Sequence, residues 1–209
     1  MSEILRGSNS DPIRHLEEHS KAIAAHLNKL GVKYAVVGGI AVSFRSVVRT
    51  TNDLDLAVIV NDDAEAESIV RTLIRLGYRA ELLLESDVSG RLATIRMIST
   101  GEREVFIDLL FASTGIECEV VENSNPIEIF PGLTLPVASR SALIALKVLS
   151  ANPKTRSKDI TDLQNILDNA VPGEIDFARS LLNLIAERGY NRNKDLQKDL
   201  DGYIEQFRA

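Results

Sequence analysis

Residues 36–58, VVGGIAVSFRSVVRTTNDLDLAV, contain the most informative pattern of the chain. It opens with the end of a short apolar, β-branched run, which predicts a strand that stops at Gly38-Gly39. Residues 40–47 then predict a short helix. A second strand is predicted over residues 53–60, and its near-continuous apolar character predicts burial on both faces.

Asp53 and Asp55 are the two charged residues of this second predicted strand. Residues two apart on a strand point to the same face, so the two carboxylates lie side by side. Carboxylates among apolar residues carry a large desolvation cost unless a cation pairs with them. Mg²⁺ binds one or two carboxylates and completes its shell with waters and phosphates. The alternative is an exposed edge strand on which both acids are solvated.

A third acid, Asp108, interrupts the apolar run VFIDLLF. A charge in the middle of an apolar strand needs a partner. If this strand neighbours the one that carries Asp53 and Asp55, three carboxylates converge. Three carboxylates can bind two metal ions about 3.5–4 Å apart, which would activate an attacking oxygen and stabilise a leaving group. The alternative is an ion pair between Asp108 and a nearby arginine.

The glycine pair supplies the other half of the predicted site. Gly38-Gly39 allows positive φ and close approach of the backbone to a ligand. A helix that begins near Ile40 directs free backbone N–H groups at a phosphate. Such turns are common, so the glycines gain weight only from the strand, helix and acidic strand around them.

The rest of the chain predicts an α+β core at residues 1–136, with an N-terminal helix, and a helical C-terminal domain at residues 137–209. Apolar periodicity predicts helices and strands outside the central stretch. The helices are predicted at 12–30, 63–76, 139–151, 155–170, 176–188 and 195–207, and the strands at 79–85, 92–99, 103–111, 127–130 and 133–137.

The composition of the 209 residues is that of an ordinary globular domain, with 44% hydrophobic and 26% charged residues. The net charge of −6 argues against a broadly basic surface that coats nucleic acid, but not against a nucleotide or RNA substrate. The single cysteine, Cys118, cannot form an internal disulfide. Without a signal-peptide core or a long apolar run, the expectation is a cytoplasmic protein with no membrane contact.

Residues 36–58 resemble the AbiEii/AbiGii-type nucleotidyltransferases, the toxin half of type IV toxin–antitoxin systems, within the DNA polymerase β-like superfamily. That signature is a Gly-Gly or Gly-Ser turn, a short helix, an Arg-x-Thr-x-Asp-x-Asp segment and a later strand aspartate. The matching residues here are Gly38, Gly39, Arg49, Thr51, Asp53, Asp55 and Asp108. More loosely, Lys147 and Lys158-Asp159 resemble a helical lysine and a Lys-Asp pair of the family.

The resemblance implies a nucleotidyltransferase-fold mixed β-sheet flanked by helices, followed by a C-terminal helical bundle. It implies transfer of a nucleoside monophosphate from an NTP to an acceptor hydroxyl, with Mg²⁺ or Mn²⁺. RNA or tRNA is the implied acceptor, and a separate antitoxin is the implied partner. The implied metal-binding and catalytic residues are Asp53, Asp55 and Asp108. The implied nucleotide-binding residues are Gly38, Gly39, Arg49, Thr51 and Lys147.

Two other functions remain open at this point. Many superfamily members have serine where this chain has Gly39, so a phosphate contact there must come from backbone amides. Gly-Gly turns also occur in nucleotidyltransferases that modify antibiotics, which makes a small-molecule acceptor the second hypothesis. A nucleotide-binding module without catalysis is the third.

Three of the predicted nucleotide-binding residues also have structural alternatives. Arg49 could form a salt bridge that fixes its loop, and Thr51 could cap the turn before the strand. Lys147 could be a surface lysine with a buried stem.

Overall fold

The computed structural model describes residues 12–85, 90–100, 104–152 and 157–208. Within these ranges it has eight helices and seven strands. The helices are α1 Pro12–Lys29, α2 Gly38–Arg45, α3 Asp63–Arg75, α4 Glu117–Glu122, α5 Arg140–Ser150, α6 Ser157–Asp168, α7 Pro172–Glu187 and α8 Leu196–Arg208. The strands are β1 Tyr34–Val37, β2 Asp53–Val58, β3 Arg79–Glu85, β4 Leu92–Ile98, β5 Phe106–Leu110, β6 Asn125–Phe130 and β7 Leu133–Val137.

All seven strands belong to one sheet with the order β3-β4-β5-β2-β1-β7-β6. The pairs β2–β5 and β1–β7 are parallel, and the other neighbours are antiparallel. The predicted α+β fold with a mixed sheet and flanking helices is therefore confirmed. Because β2 is the fourth of seven strands, the alternative of an exposed edge strand for Asp53 and Asp55 is wrong.

The central position of β2 follows from its sequence. Leu54, Leu56 and Val58 are almost completely buried, as expected for a strand whose apolar face packs under helices. Asp53 and Asp55 alternate with these residues along the strand and are partly exposed. One face of β2 therefore belongs to the core, and the other carries charge into a cleft.

Several element boundaries differ from the prediction. The helix predicted over 40–47 begins at Gly38, and the strand predicted over 53–60 ends at Val58. Helix α7 begins at Pro172 instead of residue 176, because proline is well accommodated at the first position of a helix. The short helix α4 lies in a segment for which no element was predicted.

Two predicted elements extend beyond the described residues. The strand predicted over 103–111 is observed as β5, and residue 103 lies outside the described ranges. The helix predicted over 155–170 is observed as α6, and residues 155 and 156 lie outside those ranges.

The C-terminal helices pack around α5, which contacts α6, α7 and α8, and α5 and α6 both contact α2 in the core. Buried residues such as Ile144, Leu163 and Leu182 belong to the same hydrophobic cluster as the strand residues Leu54 and Ile107. The division of the chain near residue 136 stays a prediction. Among the described residues, none of the helices has the length and hydropathy needed to cross a lipid bilayer.

Candidate active site

One row of residues crosses the sheet at the centre of the candidate site. Asp55 in β2 lies opposite Val37 in β1 and opposite Asp108 in β5. Asp108 in turn lies opposite Arg96 in β4. Residues directly opposite one another on paired strands share a face, so Asp55, Asp108 and Arg96 face the same side of the sheet.

This side of the sheet borders a cleft of about 790 Å³, and residues of α5, α6 and the loop before β2 also line it. The cleft brings together all eight residues that the sequence singled out. They are Gly38, Gly39, Arg49, Thr51, Asp53, Asp55, Asp108 and Lys147. The structure therefore collects them in one place, although their roles stay predictions.

Asp55 is the most perturbed acid of the cleft. Burial raises the pKa of Asp55 to about 7, and the carboxylates of Asp53 and Asp108 act in the same direction. The cation of Lys147 and the backbone N–H of Gly39 act in the opposite direction and lower this pKa. A carboxyl group that is half protonated near neutral pH, beside two further acids, marks a place where additional positive charge is stabilising.

The glycine turn leaves no room for side chains. Gly38 has a φ of +60°, and a Cβ built there would lie 1.9 Å from Oδ2 of Asp55. A Cβ on Gly39 would lie 2.5 Å from Nη2 of Arg49 and 2.8 Å from Oγ1 of Thr51. The close packing of Arg49 and Thr51 against Gly39 therefore leaves no space for the side chain of a serine at this position.

The loop before β2 is held by two contacts of its own side chains. The hydroxyl of Thr51 donates a hydrogen bond to the carboxylate of Asp53, which orients that acid at the start of the strand. Nε of Arg49 lies 3.0 Å from Oδ1 of Asp162 in α6, as an ion pair whose N–H does not point directly at the oxygen. The loop-fixing salt bridge considered for Arg49 is therefore present.

Asp108 is bound by an arginine. Nε and Nη2 of Arg96 donate to Oδ1 and Oδ2 of Asp108, both at 2.7 Å, in the bidentate geometry that favours a carboxylate. An ion pair with an arginine was the predicted alternative for Asp108, and the structure identifies that arginine as Arg96. The available signal was a basic residue inside the apolar strand LATIRMIS.

Lys147 is not a surface lysine. It is only 9% exposed, and its Nζ donates to Oδ1 of Asp159 at 2.6 Å and to Oδ2 of Asp162 at 2.7 Å. Asp162 thereby joins Lys147 and Arg49 from the buried face of α6. The sequence analysis missed this role of Asp162. Its position one helical turn after Asp159 was the only local signal.

The carboxylates of Asp53 and Asp55 fit a hard divalent cation. Two carboxylates at alternate positions of one strand are a typical protein contribution to an Mg²⁺ or Mn²⁺ site whose other ligands are waters and phosphates. In the described parts of the chain, no three acidic, histidine or cysteine side chains are already grouped to bind a metal ion. Both oxygens of Asp108 instead accept from Arg96.

Solved nucleotidyltransferases share this fold. An antigenic nucleotidyltransferase-like protein from Paracoccidioides brasiliensis superposes with a TM-score of 0.53 at 17% identity, over 89% of this chain and 92% of the other. ANT(2")-Ia in complex with adenylyl-2"-tobramycin superposes with a TM-score of 0.52 at 16% identity, over 82% and 97% of the two chains. At these identities the comparison shows a common architecture.

The family comparison covers most of the chain. The family described as "Nucleotidyl transferase AbiEii toxin, Type IV TA system" matches residues 23–208. That range contains every strand of the sheet and every residue of the candidate site. The chain therefore belongs to the AbiEii nucleotidyl transferase toxin family of type IV toxin–antitoxin systems and is a nucleotidyltransferase.

Proposed function

We propose that the protein transfers a nucleoside monophosphate from an NTP to a hydroxyl of RNA, as the cytoplasmic toxin that a separate antitoxin protein neutralises. The observation that carries this proposal is the cluster of Asp53, Asp55 and Asp108 in one cleft, where the pKa of Asp55 is raised to about 7. Such a cluster suits a divalent cation and the phosphates that accompany it. Membership of the AbiEii family supports the toxin role.

In this proposal Asp53 and Asp55 hold Mg²⁺ or Mn²⁺, with Asp108 completing the acidic site. When bound, the cation would neutralise phosphate charge and polarise the phosphoryl group that is transferred. Thr51 orients Asp53 through its hydrogen bond, and Gly39 orients Asp55 through its backbone N–H. The acids are therefore held in place before substrate arrives, which reduces the cost of assembling the site.

The Gly38-Gly39 turn and the first turn of α2 supply backbone N–H groups for the triphosphate. Positive φ at Gly38 and the absence of side chains allow a phosphate to approach the backbone closely. Arg49 and Lys147 line the same cleft and are the two cationic side chains assigned to the phosphates. Because both side chains are held by Asp162, they act as fixed charges and not as mobile arms.

Asp108 accepts the proton from the acceptor hydroxyl. The hydroxyl oxygen attacks the α-phosphorus of the NTP, the bond from this phosphorus to the bridging oxygen breaks, and pyrophosphate leaves with the bonding electrons. The bidentate contact with Arg96 keeps Asp108 in one orientation through these steps. Asp55 is assigned to the cation in this proposal, which leaves Asp108 as the base.

A small-molecule acceptor is the second candidate, because the fold is shared with ANT(2")-Ia, whose structure contains an adenylylated tobramycin. The experiment that separates the candidates incubates the protein with each labelled NTP, Mg²⁺ and either total RNA or a panel of aminoglycosides and lincosamides. We expect label in RNA. Label only in a drug would support the second candidate, and calorimetric NTP binding without any transfer would support a non-catalytic module.

The same assay tests the site. Asp55→Ala is expected to lower the rate of transfer at least about a thousandfold, because it removes a carboxylate that would contact the metal. Asp176→Ala is the matched control, since Asp176 is an exposed aspartate on α7 away from the cleft lining. Transfer by a folded Asp55→Ala variant at the wild-type rate would contradict the assignment.

A further inference from the structure

The position of the phosphate turn determines where the acceptor can approach, if the proposed function holds. In-line phosphoryl transfer places the attacking oxygen and the leaving pyrophosphate on opposite sides of the phosphorus. Gly38-Gly39 follows β1, on one side of Asp55, whereas Asp108 lies on the other side, in β5. The acceptor therefore approaches over the β5, β4 and β3 side of the sheet.

That side of the cleft has an apolar wall, which we define as Leu82, Leu84 and Phe106. Leu82 and Leu84 in β3 are 48% and 49% exposed, and Phe106 in β5 is 36% exposed. Large apolar side chains grouped at the edge of a polar cleft are unusual unless they contact a ligand. These three side chains line the same cleft as the aspartates.

The strand register explains why these leucines face the cleft. Leu82 lies opposite Arg96, and Leu84 lies opposite Thr94, so both share the face that carries Asp108. An irregularity in the pairing between Ala80 and Leu82 precedes them, and such bulges often redirect side chains beside active sites. Leu83 pairs with the buried Ile95 and is directed to the opposite face.

The charge of this region selects among acceptors. Of the described residues that line the cleft from β3, β4 and β5, Arg96 is the one cation and Asp108 the one acid. The guanidinium carbon of Arg96 lies 5.2 Å from the centroid of the Phe106 ring, so a planar cation and an aromatic ring lie together. A polycationic drug would meet a single carboxylate here, already bound to arginine. A nucleobase would meet apolar and planar surfaces.

We propose that the apolar wall binds the terminal base of a single-stranded RNA acceptor by stacking and apolar contact, and so presents a ribose hydroxyl of that nucleotide to Asp108. Adjacent strands are about 4.8 Å apart, so the three intervals from β2 to β3 span roughly 14 Å. This span accommodates one nucleoside between Asp55 and Leu82. The proposal deepens the proposed function by assigning the acceptor to a defined part of its cleft.

The test compares two neighbouring leucines of one exposed strand. Leu82→Glu places a charge on the wall, whereas Leu83→Glu places the same charge at a residue of similar exposure, 55%, on the other face. Binding of a fluorescent single-stranded oligoribonucleotide is measured by anisotropy. Loss of one base contact weakens binding on the order of tenfold. We expect that loss for Leu82→Glu and Phe106→Ala, and less than a twofold change for Leu83→Glu.

NTP binding and the acceptor KM complete the design. NTP affinity, measured by calorimetry, is expected to be unchanged in all three variants, and the acceptor KM is expected to rise only in the two wall variants. Equal RNA affinities for Leu82→Glu and Leu83→Glu would overturn the proposal. The proposal would also be overturned if the protein transferred label to a drug and Leu82→Glu changed the KM for that drug but not the KM for RNA.

The two proposals fail separately. If the wild-type protein labels RNA while the wall variants bind it normally, the acceptor site is wrong and the proposed function stands. A second result is that no label is transferred under any condition, but Leu82→Glu still binds the oligonucleotide more weakly than Leu83→Glu. The apolar wall then binds RNA, and the proposed activity is wrong.

Discussion

The aspartates of the sheet and the aspartates of α6 both contact residues of the cleft, but their charges are balanced differently. Asp159 and Asp162 are matched by Lys147, and Asp162 also by Arg49. On the sheet, the ion pair that the described residues form with Asp53, Asp55 and Asp108 is that of Asp108 with Arg96. The α6 cluster is therefore neutral without a ligand, whereas the sheet cluster retains negative charge.

This difference assigns the two clusters to different tasks. Buried charges that are already paired and hydrogen-bonded stabilise one arrangement of the chain, and removing a partner is costly. Like charges that remain unbalanced raise one another's pKa and favour binding of a cation. Replacing one member of each cluster should therefore have opposite effects on stability.

The largest expected effect is on the balanced cluster. Lys147→Met is expected to lower the free energy of unfolding by about 3–5 kcal/mol, because it leaves the buried Asp162 and the partly buried Asp159 without their shared ammonium group. Urea denaturation at neutral pH measures the change. Adding Asp162→Asn to Lys147→Met should recover part of the loss, and a single variant as stable as the wild type would contradict the structural role.

The sheet cluster predicts a change of opposite sign that depends on pH. The pKa of Asp55 is raised from 3.8 to about 7, so the folded state binds the proton more tightly than the unfolded state. The stability from this proton is complete below about pH 4 and is lost as the pH rises through 7.

The asparagine side chain of the Asp55→Asn variant cannot ionise, so the variant does not lose stability in this way as the pH rises. We expect the variant to be about 4 kcal/mol more stable than the wild type at pH 8, and less than about 1 kcal/mol more stable at pH 4. Thermal unfolding in EDTA at the two pH values checks the prediction. If the difference in stability between the two proteins is the same at pH 4 and pH 8, the pKa of Asp55 is not raised in the folded state.

The glycine turn offers a smaller and more local test. Gly38→Ala is expected to cost about 2 kcal/mol more than Gly132→Ala, because only the first combines positive φ with a clash against Asp55. Gly132 also has positive φ, 75°, but open space around its Cα. Urea denaturation measures both, and similar losses for the two variants would mean that Asp55 moves aside easily.

The smallest expected change in the free energy of unfolding is for an ion pair that is exposed to solvent. Arg71 and Glu67 form an exposed ion pair on α3, one turn apart. Arg71→Ala is expected to change the free energy of unfolding by less than about 0.5 kcal/mol, because water and salt screen this pair. A loss as large as that of Lys147→Met would remove burial as the explanation for the difference between the clusters.

The central stretch was predictable because its signals are local. Alternation and apolar content predicted β1 and β2, the glycines marked the turn between them, and spacing placed Asp53 and Asp55 on one face. Asp108 was recognisable as a charge in an apolar strand, and β5 does pair with β2. The helix α4 was missed because six residues with mixed character carry little periodicity.

The family, the α+β class and the acids of the cleft could be predicted from the amino-acid sequence, because they depend on residue types at short spacings. Which cation contacts which acid depends on the folded arrangement. Arg96 binds Asp108 and Arg49 reaches Asp162 because of strand order and the docking of α6. Strand order also places Leu82 at the acceptor side of the cleft. Such contacts join residues distant along the chain, so no local pattern specifies them.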